Sequence, residues 1–210
     1  MGTVEAAQKY YRQLDHSMRE VFWRQARLED AAVLAELVNY AGEGLPLYLW
    51  SRLAEKDATP WEVGRKRAAR ETGSFSYRNA TIIEHSGRAV GSLIGYKIPE
   101  QAEPVSDEMP PMFVPLHELE NLALGTWYVN VLAVLPEYRG RGLGSELLLV
   151  AEKTGLGLGT RGMSVIVSDA NVGARQLYER HGYHEAARRP MVKEDWVNSG
   201  KQWVLLTKLL

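Results

Sequence analysis

The feature that most constrains this chain is a run of alternating arginines and glycines, Arg139-Gly140-Arg141-Gly142-Leu143-Gly144, set between two segments of different periodicity. Before it, residues 126–135 (TWYVNVLAVL) are almost wholly apolar, which predicts a strand buried on both faces. After it, residues 142–158 place Leu143, Leu147, Val150, Ala151 and Thr154 on one helical face. Residues 163–168 (MSVIVS) then predict another strand. Strand, turn, helix and strand in this order imply that part of the sheet is parallel.

The turn also carries chemistry. A helix N-terminus presents N–H groups without intrahelical acceptors and about half a positive charge. Glycines at 140, 142 and 144 let the backbone approach an anion closely, and Arg139 and Arg141 add charge. The natural ligand of such a turn is a pyrophosphate. Without a ligand, the same residues make a strand–helix connection with solvated arginines. Competing nucleotide motifs do not fit. No Gly-x-x-x-x-Gly-Lys-Ser/Thr occurs. A Gly-x-Gly-x-x-Gly at Gly157, Gly159 and Gly162 follows a helix and precedes a strand, the reverse of the dinucleotide-binding order.

The remaining segments surround this unit. Residues 1–20 predict a short helix or arm ahead of the main domain, 21–210. Residues 21–27 predict a first strand, and Ala31, Leu34, Ala35, Leu37 and Val38 form the apolar face of a helix ended by Gly42 and Gly44. Thr59-Pro60-Trp61-Glu62 opens a second helix, expected to reach about residue 71. Residues 75–98 predict a hairpin turning at Ser86-Gly87. Residues 99–115 hold five prolines and predict a surface loop, followed by a short helix over 116–124. Asn171 caps a helix ended by Gly182, and strands are expected over 183–188 and 203–210.

Composition removes several function classes. The 210 residues include no Cys, which excludes disulfides, thiolate metal sites and a Cys nucleophile. Lys and Arg number 25 against 26 Asp and Glu, so no global field favours nucleic acid or anionic membrane. His181 and His184 have a spacing that could suggest a metal, but Gly182 breaks the helix between them, and no metal site is expected. No signal peptide pattern and no apolar run near the roughly 18–20 residues of a membrane span occur, so a cytoplasmic protein is expected.

At the Gly-rich turn the chain resembles the GCN5-related N-acetyltransferases (GNAT). Arg139-Gly140-Arg141-Gly142-Leu143-Gly144 matches that family's Arg/Gln-x-x-Gly-x-Gly/Ala pattern, and Val131-Leu132-Ala133-Val134 with Pro136 matches the strand before it. Downstream, Asn171, Ala174, Leu177-Tyr178-Glu179 and Gly182-Tyr183 match a second signature. The resemblance covers residues 21–210, with the Pro-rich loop outside the shared pattern.

The resemblance implies an α/β fold (α+β in some schemes). Its sheet is mixed, mostly antiparallel and twisted, with roughly six or seven strands and about four helices, splayed by a bulge between strands 4 and 5. It implies acetyl-CoA as cofactor. The pyrophosphate would lie on the N–H groups of Arg139, Gly140, Arg141, Gly142, Leu143, Gly144 and Ser145, and the pantetheine arm beside Leu132, Ala133, Val134 and Asn171. Backbone N–H groups near Leu132–Val134 would polarise the thioester carbonyl. Tyr178 matches the family's general acid, the reading the motif favours, although on its helix face it also reads as a core aromatic. Asn171 reads also as a plain helix cap.

The family has no fixed base. Glu120 and Glu118, just before the fourth strand, and Asn130 holding a water are the candidates, with His117 behind them; exposed carboxylates are more often only solvated. The activity implied is acetyl transfer to a primary amine through a ternary complex. The alternative is an acyl-CoA-binding module on the same fold that transfers nothing. The partner would be a small-molecule or peptide amine, with no nucleic acid and no membrane; a homodimer is compatible with this reading. Glu43, Glu100, Glu103, Asp107, Glu108, Glu118 and Glu120 could attract a cationic amine.

Overall fold

The computed structural model describes residues 21–210, and the helix expected over 1–20 lies outside the described residues. Seven strands form one sheet in the order β1-β2-β3-β4-β5-β7-β6. They are β1 (Val21–Gln25), β2 (Ala80–His85), β3 (Arg88–Lys97), β4 (Trp127–Val134), β5 (Gly162–Ser168), β6 (His184–Pro190) and β7 (Gln202–Leu209). Only β4 and β5 pair in parallel; every other neighbouring pair is antiparallel. The helices are α1 (Ala31–Ala41), α2 (Leu45–Leu53), α3 (Pro60–Ala68), α4 (Val114–Glu120), α5 (Leu143–Gly157) and α6 (Val172–Arg180). No helix among the described residues is long and apolar enough to cross a membrane.

These are six α-helices among the described residues, where about four were expected. The helix that was not anticipated is α2. Its segment LPLYLWSRL follows two glycines closely and carries Pro46, which reads as a breaker but is tolerated in the first turn. Helix α3 starts as expected: the Thr59 hydroxyl accepts from Glu62 N–H at 3.2 Å, and the Glu62 carboxylate accepts from Thr59 N–H at 2.7 Å. It ends at Ala68, short of residue 71.

Helices cover both faces of the sheet. On one face α5 buries Leu147, Leu148 and Ala151 against Trp127, Val129 and Val165. On the other, Leu34, Ala35 and Val38 of α1 pack on Ile82, Ile94 and Val131. Strand β4 supplies both cores because its alternation changes phase. Ile94 faces Val131 across the ladder but Gly95 faces Val129, so Asn130 is an extra residue on β4. Such a bulge resets which side each following residue takes. Trp127 and Val129 therefore point one way, and Val131 and Ala133 the other.

Gly95 sits opposite this bulge for a steric reason. A Cβ there would lie 2.1 Å from the Trp127 ring. Gly95→Ala should destabilise the fold by about 1–3 kcal/mol, because the indole must leave its place in a packed core. Urea denaturation checks this, and a loss under about 0.5 kcal/mol would refute the account.

The bulge also marks where the sheet opens. β4 and β5 pair only at Trp127↔Met163, Tyr128↔Ser164 and Val129↔Val165. Beyond that point β4 stays on β3 and β5 stays on β7, so the two central strands separate.

Candidate active site

The separation of β4 from β5 leaves a cavity of about 830 Å³. Leu132, Ala133 and Val134 line one side and Ile166, Val167 and Ser168 the other. Past Val129 and Val165 the facing strand edges have no ladder partner in each other, so their backbone groups are open to an extended ligand.

One end of the cavity is the Gly-rich turn. Gly140 and Gly142 have φ of 74° and 81°, left-handed values that favour glycine. A Cβ on either would meet no protein atom within 4 Å; it would project into open space. The backbone N–H groups of residues 140–144 find no acceptor among the described residues. The first N–H groups to close the helix are those of Ser145 and Glu146, both on the Gly142 carbonyl, at 2.9 and 3.1 Å. Five successive free donors at the start of a 15-residue helix form a cradle for a multiply charged anion.

The two arginines of the turn are partly occupied. Arg139 donates from Nε to the Val134 carbonyl at 3.0 Å and lies over the Tyr40 ring at 5.6 Å. Arg141 donates to the Glu137 carbonyl and lies over Tyr138. Arg139 lines the cavity; Arg141 does not. Ser145 lines it as well, its hydroxyl paired with His181 Nε2 at 3.0 Å.

Helix α6 forms the adjoining wall. Asn171 caps it, its Oδ1 accepting from Ala174 N–H at 3.1 Å, while the same residue lines the cavity. Both readings of Asn171, cap and wall, hold together. Tyr178 also lines the cavity, and it is buried, 5.6 Å from the Tyr183 ring. Its hydroxyl has no hydrogen-bond partner among the described residues. Burial alone pushes this phenol well above its ordinary range, so it keeps its proton.

Of the other candidates, Asn130 lines the cavity from the bulge. Glu120 does not line it. It ends α4 and accepts from the Tyr96 hydroxyl at 3.4 Å to each oxygen; burial raises its carboxyl above the usual range. Tyr96 stands 5.4 Å from Tyr128, whose phenol is held protonated by burial first and then by the nearby Glu120, Tyr96 and Tyr178. Glu118 pairs with Arg189 at 2.6 Å, and His117 Nε2 pairs with the Glu103 carbonyl. Of the seven acids named from sequence, only Glu43 lines the cavity. Among the described residues no cluster of His, Asp and Glu could hold a metal.

Several wall residues carry no motif. Tyr40 arrives on the last turn of α1 and Glu43 on the α1–α2 turn, and Trp203 arrives because β7 pairs it with Ser168 of β5. Their position depends on pairings remote in the chain; Glu43 was one of seven acids named from sequence, and nothing local set it apart from the other six.

Comparison with known proteins agrees with this architecture. No curated protein matches the chain. Among solved structures, one described as an acetyltransferase shares 21% identity and a TM-score of 0.61 over 90% of this chain and 98% of its own. An N-acetyltransferase from Staphylococcus aureus Mu50 shares 18% identity and a TM-score of 0.60, over 89% of this chain and all (100%) of its own. The yncA protein of Salmonella typhimurium, solved with acetyl-CoA, shares 17% identity and a TM-score of 0.57, covering 91% of this chain and 94% of its own. At these identities the likeness is one of fold. The family model described as Acetyltransferase (GNAT) family matches residues 45–183, which hold both the Gly-rich turn and Tyr178, and the chain belongs to that family.

Proposed function

We propose that residues 21–210 form an N-acetyltransferase domain that moves an acetyl group from acetyl-CoA to a primary amine by direct attack. The observation that carries this reading is the five unpartnered N–H groups at the α5 N-terminus, opening into the gap between β4 and β5. A diphosphate suits a row of successive free N–H donors, and an extended pantetheine arm suits an unpaired strand edge. Acetyl-CoA supplies an acyl group activated as a thioester.

The chain's residues then divide the work. Residues 139–145 hold the diphosphate, and the β4 edge at Leu132, Ala133 and Val134 aligns the arm. Backbone N–H groups beyond the bulge donate to the thioester carbonyl oxygen as charge builds on it. The neutral amine nitrogen bonds to the carbonyl carbon while the carbon–sulfur bond breaks. Tyr178 gives its proton to the departing thiolate. The nitrogen loses one proton, through water held at Asn130, with Glu120 behind Tyr96 and Tyr128 as the buried carboxylate that can receive it. The return of that proton to Tyr178 closes the cycle, leaving amide and free thiol.

Two measurements test the reading together. Titration calorimetry should show one acetyl-CoA site, and a thiol-release assay across an amine panel should show saturable turnover. No acetyl-CoA binding overturns the proposal. Binding without turnover of any amine leaves an acyl-CoA-binding module instead.

A further inference from the structure

The cavity is also lined by two residues from elements distant in sequence, Glu43 and Trp203. Glu43 is the one acidic residue of the lining among the described residues; the cations, Arg139 and Arg180, stand on the Gly-rich turn and α6. Its carboxylate has no Lys or Arg partner among the described residues. Asn198 donates to Oε2 at 2.8 Å, which fixes the group without neutralising it, and Oε1 is left without a protein donor among the described residues.

The fixing is thorough. Glu43 adopts φ of 51°, an uncommon value for a side-chain-bearing residue, which persists only where neighbours impose it. Trp196 donates its indole N–H to the Glu43 carbonyl at 3.3 Å. The same indole stacks on Trp203 at 5.9 Å with 12° between the planes. Trp196 thus holds both the Glu43 backbone and the Trp203 indole, and Asn198 of the same β6–β7 connection holds the carboxylate. Arg52 of α2 pairs with Glu194 of that connection and ties the two elements a second time.

We propose that Glu43 and Trp203 form the acceptor subsite, and that the acceptor is an aliphatic amine bearing a second, positively charged nitrogen. This rests on the transferase reading above. An unneutralised carboxylate in a partly enclosed site attracts a cation, and an aromatic wall takes the alkyl chain beside it. The bound charge must belong to a different nitrogen from the one acetylated. Attack needs a lone pair, and a carboxylate contact would hold the attacking nitrogen as ammonium. The two nitrogens therefore sit apart, one at Glu43 and one at the gap beside Asn130.

The test compares 1,5-diaminopentane with 1-aminopentane as acceptors for the full chain, by thiol release. The diamine should be favoured in kcat/KM by about ten-fold or more, the worth of one charge-assisted hydrogen bond. In Glu43→Gln the preference should collapse through a raised diamine KM, and Glu43→Asp should restore part of it. Equal use of the two amines by the wild type overturns the inference, as does a preference that survives Glu43→Gln. Retained acetyl-CoA binding with no turnover of the diamine also overturns it, whereas lost acetyl-CoA binding overturns the transferase reading itself.

Discussion

Tyr178→Phe is expected to lower kcat about 100- to 10,000-fold while acetyl-CoA binds as tightly as before. The substitution removes one oxygen and keeps the ring. Phenylalanine retains the contact with Tyr183, so the α6 wall should stay in place. What is lost is a buried phenol O–H that faces the cavity from α6 with no hydrogen-bond partner among the described residues. Burial holds that proton on the phenol across the working pH range. The same desolvation raises the proton affinity of a thiolate leaving into the cavity, so donor and acceptor are brought towards balance where the bond breaks. Steady-state kinetics with calorimetry on the same sample checks this. A kcat within about threefold of wild type would make Tyr178 a wall residue only.

Gly142→Val should weaken acetyl-CoA binding by about 100-fold, ~2.8 kcal/mol. Two effects act at one position. The φ of 81° strains any L side chain, and the new Cβ enters space that no protein atom occupies and that the anion would need. Strain alone would lower stability without touching affinity, so a control is needed. Gly159 has φ of 63° and equally open surroundings, but lies at the far end of α5 and does not line the cavity. Gly159→Val should lose about 1–2 kcal/mol of stability and bind acetyl-CoA as the wild type does. If both variants bind normally, the cradle at residues 140–144 is not the diphosphate site.

Signals that act within a few residues were readable. Thr59 and Glu62 marked a helix start, Asn171 a cap, and the glycines at 140 and 142 a turn whose backbone N–H groups stay free. Other features were hidden because proline and glycine have two meanings. Gly42 and Gly44 signalled an end, yet Gly44 opens α2, whose Pro46 sits in the first turn where a proline costs no hydrogen bond. Charge was a poor guide. Arg141 looked equivalent to Arg139 but packs on Tyr138 outside the cavity, and Glu120 stands behind two tyrosines.

By itself the sequence determined the family, the alternating elements of the second half, the Gly-rich turn with its free N–H groups and the placement of Tyr178 on the wall beside it. All of these depend on hydrogen bonds and side-chain periodicity inside one turn, strand or helix. Tertiary structure decided where β4 parts from β5 and what faces the resulting gap. The bulge at Asn130 exists only as a register shift against β3, a relation between two strands that neither segment encodes alone. Glu43 and Trp203 come to share a wall, backed by Trp196 and Asn198, only when β7 pairs with β5 and the β6–β7 connection bonds to the α1–α2 turn. The Glu43–Trp203 end of the cavity is therefore a product of long-range packing, while the Gly-rich turn is written locally.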